Sequence, residues 1–276
     1  MSMASFAELS LAGFLASHRD EQNLWLFVHI PKTAGSSLST EISRELTPYR
    51  NIHIDGNEKG VEHAVQVQNA VNRFIADSGS GSFRSASGHI NIGHVDQIRG
   101  AVPAAKAFTF LRHPVKRLIS DFRYQRTPLH PPHKEFIERF PTIESYVTSE
   151  ISQNRMYRTL VRDETMPLQE GIDQIARDLA FVGTLEMYPM SFNILFRLFG
   201  LDLMPGDHKR ATPQTEHNAV DETPELRNRI LAVNALDMAL YRHFAEMLRA
   251  RREQWIEMRK AQRPAQAEAA AVAGSH

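Results

Sequence analysis

The sequence predicts an α/β fold of three layers, a mainly parallel central sheet with helices on both faces. Three observations lead there. Residues 24–46 read as a short apolar strand, a polar turn and a helix with one apolar face. Residues 107–124 repeat that order. A third apolar run at 181–185 is again followed by a helix, which Pro189 can open. Strands that alternate with helices in this way build parallel sheets through crossover connections.

The elements follow in order. Residues 1–20 read as a short amphipathic helix or arm ahead of the first strand, 24–30. Pro31 cannot donate to a sheet ladder and ends that strand. Leu38, Ile42 and Leu46 then mark one face of the first helix. Residues 50–60 are polar and turn-rich, and Val67, Ala70, Val71 and Phe74 give the next helical face. A Gly/Ser run at 78–82 is a flexible loop, and 83–90 is a strand that carries His89. The strand at 107–111 is followed by Pro114 at a helix start and by Val115, Leu118, Ile119 and Phe122 on one face. The Pro/His-rich stretch 127–133 opens a long insertion, helical through 178, that shapes a substrate site. Residues 202–223 form a loop rich in Asp, His, Pro and Thr, and Leu236, Leu240, Phe244 and Leu248 mark the last core helix. From Arg263 the chain is an Ala-rich tail expected to be disordered. Length alone allows one or two domains, but the paired strand–turn–helix units need a shared sheet, so residues 1–262 are assigned to one domain.

The turns carry the chemistry. Pro31-Lys32-Thr33-Ala34-Gly35-Ser36-Ser37 places small residues at a helix N-terminus, where backbone N–H groups can cradle a phosphate. Gly35 permits close backbone approach, the three hydroxyls can add donors, and Lys32 supplies a positive charge. The spacing is not that of a Walker A loop, since the lysine precedes the glycine by three. In the second unit Arg112 stands at the strand end and Ser120 about two helical turns later. Both can converge on one anion, with the arginine offering a planar fork. Ligands bind at the carboxyl edge of open α/β sheets. Two anion sites on one such edge suit a ligand with two separate phosphates.

These two segments resemble the sulfotransferases, whose fold is P-loop-like. The first, 31–37, resembles their 5′-phosphosulfate loop. The second, Arg112-His113-Pro114-Val115-Lys116-Arg117-Leu118-Ile119-Ser120, resembles their 3′-phosphate motif, R-x-P-x-x-R-x-x-S. The likeness is to the carbohydrate branch that contains heparan sulfate 2-O-sulfotransferase. Its C-terminal helix pair is similar to 223–241 here. The resemblance implies the co-substrate 3′-phosphoadenosine-5′-phosphosulfate (PAPS), the product 3′-phosphoadenosine-5′-phosphate and no metal. It assigns Lys32, Thr33, Ala34, Gly35, Ser36, Ser37, Arg112 and Ser120 to the nucleotide, with Lys32 stabilising the leaving phosphate. The acceptor would be a hydroxyl of a glycan, a glycolipid or another small molecule. The branch's catalytic histidine matches His89, and a side chain with an ordinary pKa of ~6.5 suits a general base. His94 is the alternative base. Ser87 stands where the branch often carries a second histidine. In relatives a loop near 202–223 folds over the nucleotide, which would bring Lys209, Arg210 and Thr212 to it.

Composition narrows the classes. Hydrophobic and charged shares of 42% and 23% fit a globular chain. With 32 basic and 32 acidic side chains, the formal charge is zero, against a nucleic-acid binder. No cysteine is present, so cysteine catalysis and disulfides are excluded. The first twenty residues do not read as a signal peptide, and no run reaches the ~18–20 apolar residues of a spanning helix. Animal Golgi members of the branch carry such an anchor, so the expectation here is a cytoplasmic, bacterial form. Two other classes compete: a P-loop-like small-molecule kinase, and a nucleotide-binding module without catalysis.

Overall fold

A computed structural model describes residues 2–54, 60–79, 82–130, 132–206, 215 and 218–273. Its centre is a five-stranded sheet, every pairing of which is parallel. The strands are β1 (Trp25–Val28), β2 (Tyr49–Ile52), β3 (Ser85–Gly88), β4 (Lys106–Leu111) and β5 (Phe181–Thr184), in spatial order β2-β3-β1-β4-β5. The four strands expected from sequence are all here. β1 reads WLFV with all four residues buried, as a strand covered on both faces must. β3 reads SASG and is also fully buried; its hydroxyls are satisfied, Ser85 by the Leu46 carbonyl at 2.6 Å and Ser87 by Tyr49 Oη at 2.6 Å.

β2 is the strand that the polar, turn-rich reading of 50–60 passed over. It lies at the sheet edge and leaves Arg50 and Asn51 exposed. Edge strands tolerate polar side chains, so alternating hydrophobicity does not reveal them. Its pairing with β3 requires Gly88, where an added Cβ would stand 2.5 Å from the Ile52 carbonyl oxygen.

The helices are α1 (Ser5–Glu8), α2 (Leu11–His18), α3 (Gly35–Glu45), α4 (His63–Ser78), α5 (Ile92–Ala101), α6 (Pro114–Gln125), α7 (His133–Arg139), α8 (Ile143–Val147), α9 (Arg155–Leu160), α10 (Leu168–Asp178), α11 (Tyr188–Leu198), α12 (Pro224–Val233), α13 (Ala235–Ala250) and α14 (Arg252–Ala273). The N-terminal arm is docked: the amides of Met3 and Ala4 donate to the carbonyls of Leu179 and Ala176 at 2.7 and 2.9 Å. Phe6 and Phe14 are buried against the main core. α14 runs through residues that composition set apart as an Ala-rich tail, and alanine is the strongest helix former.

The insertion after α6 packs a second, smaller core. Val115, Leu118 and Phe122 of α6 meet Phe136, Tyr146 and Ile230 there. Behind it, Arg117 is wholly buried. Its Nη2 donates to the Ser152 carbonyl at 3.0 Å, its Nη1 lies 3.5 Å from Asp121 Oδ2, and its Nε lies 4.0 Å from Asp237 Oδ2. Asp237 accepts the first amides of α9, from Met156 at 3.2 Å and Tyr157 at 2.8 Å. Asn154 returns the favour to α13, accepting from Leu236 and Asp237 at 3.1 and 3.2 Å. α9 and α13 thus cap each other, which fixes the wall beside the sheet's carboxyl edge.

Candidate functional site

Three neighbouring strands, β3-β1-β4, end at one edge. His89 follows β3 by one residue, His29 follows β1 by one, and Arg112 follows β4 by one. Parallel register sets Val28 beside Gly88 and Thr109, so His29 and His89 emerge side by side, while Arg112 stands two residues further along than the position opposite His29. The His29 and His89 rings lie 4.3 Å apart between centroids, tilted by 31°. His89 Nδ1 is 2.8 Å from the His29 carbonyl oxygen. A carbonyl only accepts, so Nδ1 carries the proton and Nε2 is the basic atom. His89 is exposed at the edge, but the protein packed around its ring partly desolvates it, which is the main cause that draws its pKa below the ordinary value; the hydrogen bond to the His29 carbonyl opposes it. His29 is pushed down to about 3, first by burial, then by His89 and Lys32.

The loop after β1 is wound through unusual backbone. Lys32 and Ala34 both have positive φ, 71° and 82°. For side-chain-bearing residues this region costs roughly 1–2 kcal/mol each, strain that clusters at ligand sites. Ala34 is the N-cap of α3 and offers no side-chain acceptor to the first-turn amides. Those amides open onto the sheet edge at the positive end of a helix. Gly35 is buried there, and Ser36 is exposed. Thr33 is not a free donor: its buried hydroxyl donates to the Ile30 carbonyl at 2.9 Å and closes the loop.

The two predicted anion segments meet. Arg112 Nη1 donates to the Lys32 carbonyl at 3.2 Å, while its buried Nε has no partner among the described residues. Lys32 Nζ stands 4.1 Å from the centroid of the Tyr124 ring. Tyr124 is one turn beyond Ser120, which is half-buried on α6. Burial lowers the Lys32 pKa; Asp121 opposes that and Arg112 adds to it. Burial likewise lowers that of Arg112. Lys32 and Arg112 are thus in contact, and the Tyr124 ring under Lys32 lies one turn beyond Ser120 on the same helix.

Other expected residues fall elsewhere. His94 Nδ1 accepts from the Asn91 amide at 3.1 Å in the capping box of α5, so its ring is engaged in holding a helix end. Arg117, part of the R-x-P-x-x-R-x-x-S match, belongs to the buried ion network instead. Lys209, Arg210 and Thr212 lie outside the described residues. His29, Tyr124 and Asp121 were not singled out in the sequence. His29 meets His89 only because β1 and β3 are neighbours, which no local sequence pattern announces. A groove of about 440 Å³ is lined by Asn91, Gln153, Arg155, Arg158 and Thr159 together with Glu150, Ile151 and Glu164.

No family model and no curated protein matches the chain. Among solved structures it is similar to the crystal structure of mouse sulfotransferase SULT7A1 complexed with PAP. Sequence identity is 13% and the TM-score 0.35, over 88% of this chain and 96% of that one. Among the described residues, no helix is long and apolar enough to cross a membrane, and no group of three or more His, Asp or Glu side chains is set to hold a metal.

Proposed function

We propose that the chain is a PAPS-dependent sulfotransferase acting on a hydroxyl of a carbohydrate or another small acceptor, such as a glycan or glycolipid, in the cytoplasm. The observation that carries this reading is the junction of the two anion segments. A strained loop at a helix N-terminus and an arginine with an unpaired N–H are tied by the 3.2 Å contact between Arg112 and Lys32, next to a histidine with a defined basic nitrogen.

In this reading the first-turn amides of α3 with Ser36 and Ser37 hold the 5′-phosphosulfate, and Arg112 with Ser120 holds the 3′-phosphate. The acceptor lies in the groove beside Asn91 and Arg155. His89 Nε2 takes the hydroxyl proton as the acceptor oxygen bonds to sulfur. The bond from sulfur to the bridging oxygen breaks, and the electron pair leaves with the 5′-phosphate. Lys32 neutralises that charge, swinging from the Tyr124 face. The catalysis is positioning and charge stabilisation, as in phosphoryl transfer.

The test is transfer of labelled sulfate from PAPS to a panel of glycans and small hydroxyl compounds. His89→Ala should lower kcat by roughly 10²–10⁴ with the donor KM nearly unchanged. Absence of transfer to any acceptor, with tight binding of ATP and magnesium instead, would favour a kinase.

A further inference from the structure

His29 is used by nothing so far except its backbone carbonyl, yet its ring sits at the junction of every part of the site. It is clamped on three sides. Phe27 stacks on it with ring centroids 5.4 Å apart and planes 12° from parallel. His89 lies against it at 4.3 Å. On the third side is Gly35, where an added Cβ would stand 1.6 Å from His29 Nε2 and 1.8 Å from Cδ2. The glycine of the anion loop is therefore bare where the imidazole rests on it. Neither ring nitrogen of His29 makes a hydrogen bond among the described residues.

We propose that His29 is a positioning residue: its ring is the spacer that couples the anion loop at Gly35 to His89 and holds His89 as the Nδ1–H tautomer. A small side chain at 29 would leave a hollow between loop and base. His89, already exposed on its open side, would then rotate off its carbonyl acceptor, and water would reach the face that His29 covers. The spacer is neutral at working pH, since burial and the charges of its neighbours disfavour its protonation. A neutral ring adds no third cation beside Lys32 and Arg112. Lys32 faces His29 from the loop, and His89 is also faced by Arg155 of α9, His63 of α4 and Asp121 of α6. The assignment of His89 as base rests on the sulfotransferase reading; the coupling of the two rings does not.

The experiment is nitrogen-15 NMR of the histidine rings in the full chain, titrated from pH 4 to 9 without donor, together with sulfate transfer from PAPS. Variants are His29→Ala, His29→Gln, which restores a neutral polar group of similar reach, and Gly35→Ala, which presses on the ring from the loop side. His89 in the native chain should hold one tautomer, protonated at Nδ1, with its midpoint below ~6.5. His29→Ala and Gly35→Ala should mix the tautomers and move the His89 midpoint. In His29→Ala, kcat should fall on the order of tenfold to a hundredfold, more than the donor KM changes, and His29→Gln should recover most of it. An Nε2–H tautomer in the native chain would overturn the proposal. So would a His89 tautomer and midpoint unchanged in both His29→Ala and Gly35→Ala. If the native chain transfers no sulfate, the function reading fails, and the NMR arm still decides the coupling. Should His29→Ala not fold, His29→Gln and Gly35→Ala carry the test.

Discussion

Arg117→Met removes the cation from between two buried carboxylates. Asp121 and Asp237 are 2% and 0% exposed, and the guanidinium reaches both. Taking one partner from a buried pair typically costs 3–5 kcal/mol. Asp121 keeps a hydrogen bond from Tyr146 Oη at 2.9 Å, and Asp237 keeps the two α9 amides. Those donors place the loss near the lower limit, about 3 kcal/mol. At about 2–4 °C per kcal/mol for a chain of this size, the melting temperature should fall by roughly 6–12 °C. The deficit should depend on pH. Burial already raises the Asp237 pKa, while Arg117 holds it down. Without Arg117 the folded-state pKa rises further. A group with a raised folded pKa is stabilising below its unfolded pKa and loses that contribution as pH rises through the folded value. The variant's deficit should thus be larger at pH 8 than at pH 5. Urea denaturation followed by circular dichroism at the two pH values measures this, with calorimetry of 3′-phosphoadenosine-5′-phosphate on the folded variant. Native-like stability combined with lost nucleotide affinity would refute the structural role and return Arg117 to the ligand site.

Two further outcomes follow from the same geometry. His89 must be neutral to act as a base, and its pKa is lowered by partial desolvation at the edge, so kcat should hold as pH falls and drop only below ~6.5; a pH–rate profile with its acidic limb above 7 would contradict this. Asn154→Ala should cost about 1–3 kcal/mol, because Asn154 sits at φ 45° and accepts two amides of α13; an unchanged urea midpoint would show that the α9–α13 clasp contributes nothing.

The sequence was informative where one short segment determines its own structure. The apolar runs at 24–30, 107–112 and 181–185 fix buried parallel strands by composition, and the loop from Pro31 to Ser37 announces a helix N-terminus. β2 was missed because an edge strand takes its identity from its partner, not from its own residues. The sequence offers the Thr33 hydroxyl as a ligand donor, but it closes the loop at Ile30, a contact set by the backbone path. Arg117 matched a motif position, yet its partners Asp237 and Ser152 come from elements far along the chain. His29 gave no periodic signal. Its role depends on β1 and β3 being neighbours, and the order β3-β1-β4 is a property of the folded sheet.

The most direct measurement is a metal-free calorimetric comparison of two nucleotides, 3′-phosphoadenosine-5′-phosphate and adenosine 5′-phosphosulfate, on the native chain, Arg112→Ala and Ser120→Ala. A charge-assisted contact is roughly twice as strong as a neutral one, so the arginine change should matter more. The account predicts tight binding of the bisphosphate without magnesium, a loss on the order of tenfold or more in Arg112→Ala, a smaller loss in Ser120→Ala, and little change for adenosine 5′-phosphosulfate. Equal losses for both nucleotides, or no binding of the bisphosphate by the native chain, would contradict it.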